Sequence, residues 1–228
     1  MGDENAPTPA RPHWRNPAPR EKRWVALLAV VVAIAIQLVL PERFSLGPRW
    51  MLPGVEAVIA VGLLIANPFK LAPDGPAVRR AGLVLVAVMS IGNGVSAVLL
   101  IAELLHGEVP GGAPALLANG SAVYATNIIA FALWYWELDR GGTMARANGE
   151  REHPDFLFPQ MTDASYAPKG WQPKFLDYLY VSFTNATAFS PTDTLPLTTW
   201  AKMLMLVQSA VALVTVALVI ARAVNIFS

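Results

Sequence analysis

The chain has no cysteine and only three histidines. Without thiols there are no disulfides, no thiolate metal sites and no haem thioether attachment. His13, His106 and His153 stand in tails or connections, with no carboxylate at metal-ligand spacing on a shared helix face. No metal site and no cofactor is therefore expected. Charge is scarce too: Asp, Glu, Lys and Arg make up 14% of the residues, against about 25% in soluble domains. The net charge of +1 offers no general attraction to nucleic acid. Gly-x-Ser-x-Gly, His-Glu-x-x-His and P-loop motifs are all missing, so no reaction machinery is expected and the chain reads as something other than an enzyme.

Hydrophobic residues fill that space, at 54% of the chain. Several runs reach the roughly 20 apolar residues that cross a hydrocarbon core. Residues 1–23 are a Pro-rich, charged tail, with Pro7, Pro9, Pro12, Pro17 and Pro19 opposing a helix, and read as disordered. Four apolar spans follow, at 24–40, 51–69, 81–105 and 114–136, parted by Pro and Gly clusters such as Pro73-Asp-Gly-Pro76 and Pro110-Gly-Gly112. No small-residue cleavage site follows the first run, where Val39-Leu40-Pro41-Glu42-Arg43 stands. That span is read as retained. Residues 137–172 form a polar connecting loop whose mixed charges, Asp139, Arg140, Glu150, Arg151, Glu152 and Asp155, read as a solvated face. Trp134-Tyr135-Trp136 reads as an interfacial aromatic belt, with Phe156, Phe158 and Trp171 on the headgroups.

The basic residues divide unevenly among these segments. Those of the tail, of the 67–80 connection (Lys70, Arg79, Arg80) and of the 137–174 stretch would share one side, leaving Arg43 and Arg49 on the other. The positive-inside rule then puts the N-terminus in the cytoplasm. Residues 175–190 are slightly short for a crossing at about 1.5 Å per residue. If they cross, Arg222 ends inside, as the charge rule prefers. The expectation is an all-α integral membrane protein of about six segments with both termini cytoplasmic. Its Ala/Val-rich make-up fits a bacterial inner membrane.

The last part of the chain, 173–228, concentrates the unusual polarity. Asp177, Tyr180, Thr184 and Thr187 fall on one helical stripe and Tyr178, Ser182 and Asn185 on the next. Leu179, Val181, Phe183 and Ala186 are left for lipid. Polar groups in a bilayer either hold helices together or line a path. Asn93 on the third span, Asn127 on the fourth and Gln208 on the last are candidates for the same seam, with Ser190, Thr192 and Asp193 in the turn. Asn93, Asn127 and Asn185 would satisfy one another if their helices touch. Asp193 stands where a carboxylate would cap the last helix.

This segment resembles the pore module of potassium channels. Tyr180-Val-Ser-Phe-Thr-Asn-Ala-Thr187 stands for the pore helix, Ala188-Phe-Ser-Pro-Thr-Asp193 for the filter, and Pro196 and 200–208 for the start of the inner helix. Asp193, Pro196 and the Ser/Thr-rich approach carry the resemblance. It also looks like bacterial integral membrane proteins of no assigned activity. Both filter glycines are replaced, and Pro191 fixes its own φ, so a potassium-selective carbonyl filter is excluded. The resemblance implies a channel-like or transporter-like protein that oligomerises around a polar-lined C-terminal helical hairpin. The competing expectation is a non-conducting scaffold that keeps only the packing of a pore module.

Overall fold

The computed structural model describes residues 12–19, 21, 23–66, 75–106, 111–168, 170–187 and 193–227. It is mostly helical, with α1 at Trp24–Val39, α2 at Met51–Ala66, α3 at Pro76–His106 and α4 at Gly112–Leu138. The short helices α5 (Thr143–Asn148) and α6 (Pro159–Thr162) follow, and then α7 (Phe175–Thr187) and α8 (Thr199–Phe227). Two-residue strands β1 (Phe156–Leu157) and β2 (Leu195–Pro196) pair antiparallel, Phe156 opposite Pro196. Prolines begin or lie in the first turn of α2, α3 and α4, where the missing N–H costs nothing. Among the described residues α3, α4 and α8 are long and apolar enough to cross a membrane. At 16 residues each, α1 and α2 are apolar but shorter.

Specific contacts fix the directions. Trp134 Nε1 donates to Ser90 Oγ at 2.8 Å, while Leu100 and Leu116 share a cluster further along, so α3 and α4 are antiparallel. α8 also runs antiparallel to α4, with Tyr135 against Gln208 at one end and Gly120 against Val219 at the other. A Cβ on Gly120 would lie 2.7 Å from Val219 Cγ2, so the close approach of α4 and α8 depends on glycine. α1 starts beside the end of α4, where Glu21 accepts from Trp136 Nε1 at 2.7 Å. Its far end reaches the opposite cluster through Leu40, beside Phe44.

The expected hairpin of α7 and α8 is not formed. α7 begins against Trp136, with Phe175 edge-on to its ring at 6.0 Å, and Ser182 donates to the Ile128 carbonyl at 2.7 Å. It therefore also runs antiparallel to α4. The β1–β2 pair returns the chain to the end where α7 started, and α8 sets out from there. Thus α7 and α8 run in the same direction, with Ser182 beside Gln208 and Asn185 beside Ser209. α1 begins at one end of the bundle and α8 finishes at the other.

Two further expectations change. Pro12 to Pro19 pack rather than trail: Trp14 is buried, His13 Nε2 lies 2.9 Å from the Gln160 carbonyl, and Ala18 N donates to the Ala147 carbonyl. The rest of the tail up to Arg11 lies outside the described residues. The aromatic belt is largely internal too. Tyr135, Trp136, Phe156 and Phe158 are buried, and Phe156 is a hub touching Tyr135, Tyr178 and Trp200. Each finds a neighbouring ring or a hydrogen-bond partner that headgroups would otherwise supply.

Candidate functional site

The polar residues of α7 and α8 meet α4 in one seam. Gln208 is fully buried and sits at its centre. Its Oε1 accepts from the Tyr135 hydroxyl at 2.6 Å and from Asn185 Nδ2 at 2.9 Å. Its Nε2 donates to the Ser182 carbonyl at 2.9 Å and to Ser182 Oγ at 2.7 Å. Asn185 also donates to the Met205 carbonyl at 3.0 Å, and its own carbonyl accepts from Ser209 at 3.1 Å. The Gln208 amide is fully satisfied, and in an apolar interior that is what makes its burial affordable.

The hydroxyls of Thr184 and Thr187 turn back to their own helix. Thr184 donates to the carbonyls of Tyr180 and Val181, and Thr187 to that of Thr184 at 2.9 Å. The inward face of α7 is rotated from the expected one. Tyr178, Val181, Ser182 and Ala186 are buried, whereas Leu176, Tyr180 and Phe183 are exposed. Val181 and Ala186 are therefore packing residues and not lipid-facing ones, because α4 and α8 both press on that side.

Asn93 and Asn127 do not join this network. Both are buried, and Oδ1 of each has no hydrogen-bond partner among the described residues. Thr215 Oγ1 on α8 is likewise buried and unpartnered among the described residues. Asp193 is exposed and makes no hydrogen bond among the described residues. It therefore does not cap α8, which starts only at Thr199. Ser190 and Thr192 lie outside the described residues.

Sequence reasoning missed a second polar centre, at the end of α4. Asp139 and Arg140 are buried, not solvated. The Asp139 carboxylate accepts from the Tyr178 hydroxyl at 2.5 Å, from Arg140 Nε at 3.3 Å and from the backbone N–H groups of Asp155 and Phe156. Asp155 in turn accepts from Arg140 N at 2.7 Å and Trp200 Nε1 at 2.9 Å. Arg140 has φ 51 and lies over the Trp14 ring, while Arg146 donates to the Trp136 and Asp139 carbonyls. Holding a non-glycine residue left-handed costs about 1–2 kcal/mol, and the bonds on either side offset it. Gly141-Gly142 directly after Arg140 was the available signal of a tight turn. Asp139 thereby binds the loop to α7, and Asp155 binds it to α8.

At the outer margin of this centre, Glu21 accepts from Phe175 N at 2.8 Å as well as from Trp136. Burial pushes its carboxyl above the usual value, and those two hydrogen bonds only partly oppose the shift. On the exposed surface the Ser165 N–H holds Asp163 below its usual value.

No group of three or more His, Cys, Asp or Glu residues among the described residues is arranged to hold a metal ion. Comparison of the chain with protein-family models, curated proteins and solved structures gave no match.

Proposed function

We propose that this is a channel-like multi-pass membrane protein in which α7 is a re-entrant helix and α8 the helix that lines a path, assembled from several copies of the chain. One observation carries this reading: α7 and α8 start from the same end of the bundle and run in the same direction. Thirteen residues of α7 give about 20 Å of helix, against a core of roughly 30 Å. A helix that enters, stops inside and returns to its own side has the topology of a pore loop. On this reading α1, α2, α3, α4 and α8 cross the bilayer. The charge rule puts the N-terminus and the 137–174 stretch in the cytoplasm, so α7 enters from that face and α8 ends outside.

The exposed stripe of α8, with Leu206, Val207, Leu213, Val214 and Ile220, faces lipid or another copy. Without the filter glycines the path is not potassium-selective. One observation favours the non-conducting scaffold: Gln208 spends its whole amide on Tyr135, Asn185 and Ser182 and keeps no polar atom for a passing ion.

Flux from liposomes containing the purified full chain separates the two. The channel reading expects an oligomer by native mass spectrometry and a cation leak. Asp193→Asn should lower that leak at low salt and hardly at high salt, because exposed charges are screened within about 10 Å at 0.1 M. A folded monomer with no leak of any ion would establish the scaffold instead.

A further inference from the structure

Three carboxyl groups stand on the apolar helices α2, α3 and α4, and they are not treated alike. Glu103 on α3 pairs with Arg43 at 3.0 Å, and Glu137 on α4 pairs with Arg23 at 3.4 Å. Glu56 on α2 is fully buried and has no cation partner among the described residues. Its one hydrogen-bond partner among the described residues is Gln37 of α1, whose Nε2 donates to Oε1 at 3.2 Å and to Oε2 at 3.1 Å. The third wall is Gly92 of α3, where a Cβ would lie 3.9 Å from Glu56 Oε1 and from Gln37 Oε1.

The surroundings hold little charge. α1 from Trp24 to Val39 contains no titratable side chain. α3 presents Gly92 and Ser96 here, and the Ser96 hydroxyl is engaged with the Phe44 and Gly92 carbonyls. From the connection between α1 and α2, Arg43 is held by Glu103, Glu42 is exposed, and Arg49 lines a pocket without pairing with Glu56. That pocket runs from the exposed residues Leu46, Pro48 and Arg49 down to Gln37, Gly92 and Ser96.

An isolated ionised carboxylate in an apolar interior is costly, and intramembrane carboxyls mark ion and proton paths. An amide is suited to serve both states of the acid. Its NH₂ donates to both oxygens of the carboxylate; once a proton is bound, it donates to one oxygen while its carbonyl accepts the new O–H. We propose that Glu56 and Gln37 form a proton-binding site reached from the Arg49 side of the bundle. The site stands apart from the α4, α7 and α8 seam and does not depend on the pore reading.

Dicyclohexylcarbodiimide, which couples to protonated carboxyls in apolar surroundings, tests this on the full chain in detergent and in liposomes. Peptide mass spectrometry should place one adduct on Glu56, rising as the pH falls, with Glu103 and Glu137 unmodified. The adduct should disappear in Glu56→Gln, while Gln37→Leu should keep it and displace its pH profile. Mapping the wild-type adduct needs no variant, so a misfolded Glu56→Gln leaves the test intact. No adduct on Glu56 at any pH, or equal labelling of Glu103, would overturn the proposal. Suppression of the adduct by sodium at constant pH would replace the proton with a metal cation as the occupant.

Discussion

Tyr178 donates its hydroxyl to Asp139 at 2.5 Å, and both side chains are fully buried. The bond joins α7 to the turn that ends α4, and the same carboxylate holds the backbone of β1. One acidic group thus organises three chain segments. Tyr178→Phe, which removes a single donor, should cost about 1–3 kcal/mol. Asp139→Ala, which also strands the buried Arg140, should cost about 3–5 kcal/mol. Denaturation midpoints in detergent measure both, and equal midpoints for Tyr178→Phe and wild type would show that this bond contributes nothing.

Gln208 and Asn93 are both buried amides, yet their replacement should differ. Gln208→Leu leaves Tyr135, Asn185 and Ser182 each short of a partner. The expected loss is at least about 1–3 kcal/mol, the cost of one stranded polar group. Asn93→Leu removes an amide whose Oδ1 is already unpartnered, and should be neutral within about 0.5 kcal/mol or stabilising. Thermal unfolding of the two variants side by side decides the matter; the reverse order would mean that Asn93 serves a bound group.

The helix directions predict a sided labelling pattern. The chain has no native cysteine to interfere. His106→Cys and Asn225→Cys, both at exposed positions, should react with an impermeant thiol reagent on intact cells. Arg151→Cys, exposed at the other end, should react only after lysis. Protection of Asn225→Cys in intact cells would mean that α8 finishes on the N-terminal side, against the direction of its contacts with α4.

Glu21 predicts a pH dependence. Its carboxyl binds a proton more tightly folded than unfolded, because burial raises its pKa. Its contribution to stability is therefore full below the ordinary carboxyl range and is lost as pH rises from there through the raised folded value. Glu21→Gln should flatten that part of the stability curve, as followed by melting temperature across mildly acidic buffers. An identical slope in both proteins would assign the dependence to another group.

Composition and periodicity made the apolar helices legible, since long runs broken by Pro and Gly leave few alternatives. The meeting of Asn185 and Gln208 in one seam was legible for the same reason, since polar atoms are conspicuous among apolar ones, whereas Thr184 and Thr187 turn back to their own helix. The direction of α8 was not, because it depends on the two-residue pairing of Phe156 with Pro196, and two residues have no period. Asp139 and Arg140 were obscured by their neighbours. A charge run looks solvated until Tyr178, distant in sequence, supplies the donor that makes burial possible. The inward rotation of Val181 and Ala186 was likewise unreadable, because it is imposed by two helices pressing on α7 at once.

Since α7 starts at the loop end and stops part-way along α4, its carbonyl terminus is delivered to the interior of the bundle. Aligned peptide dipoles place about half a negative charge at such a terminus. Hydroxyls from Thr187 and Ser209 already meet the carbonyls of Thr184 and Asn185, which softens that field without reversing it. A terminus of that kind favours a cation over an anion at its depth.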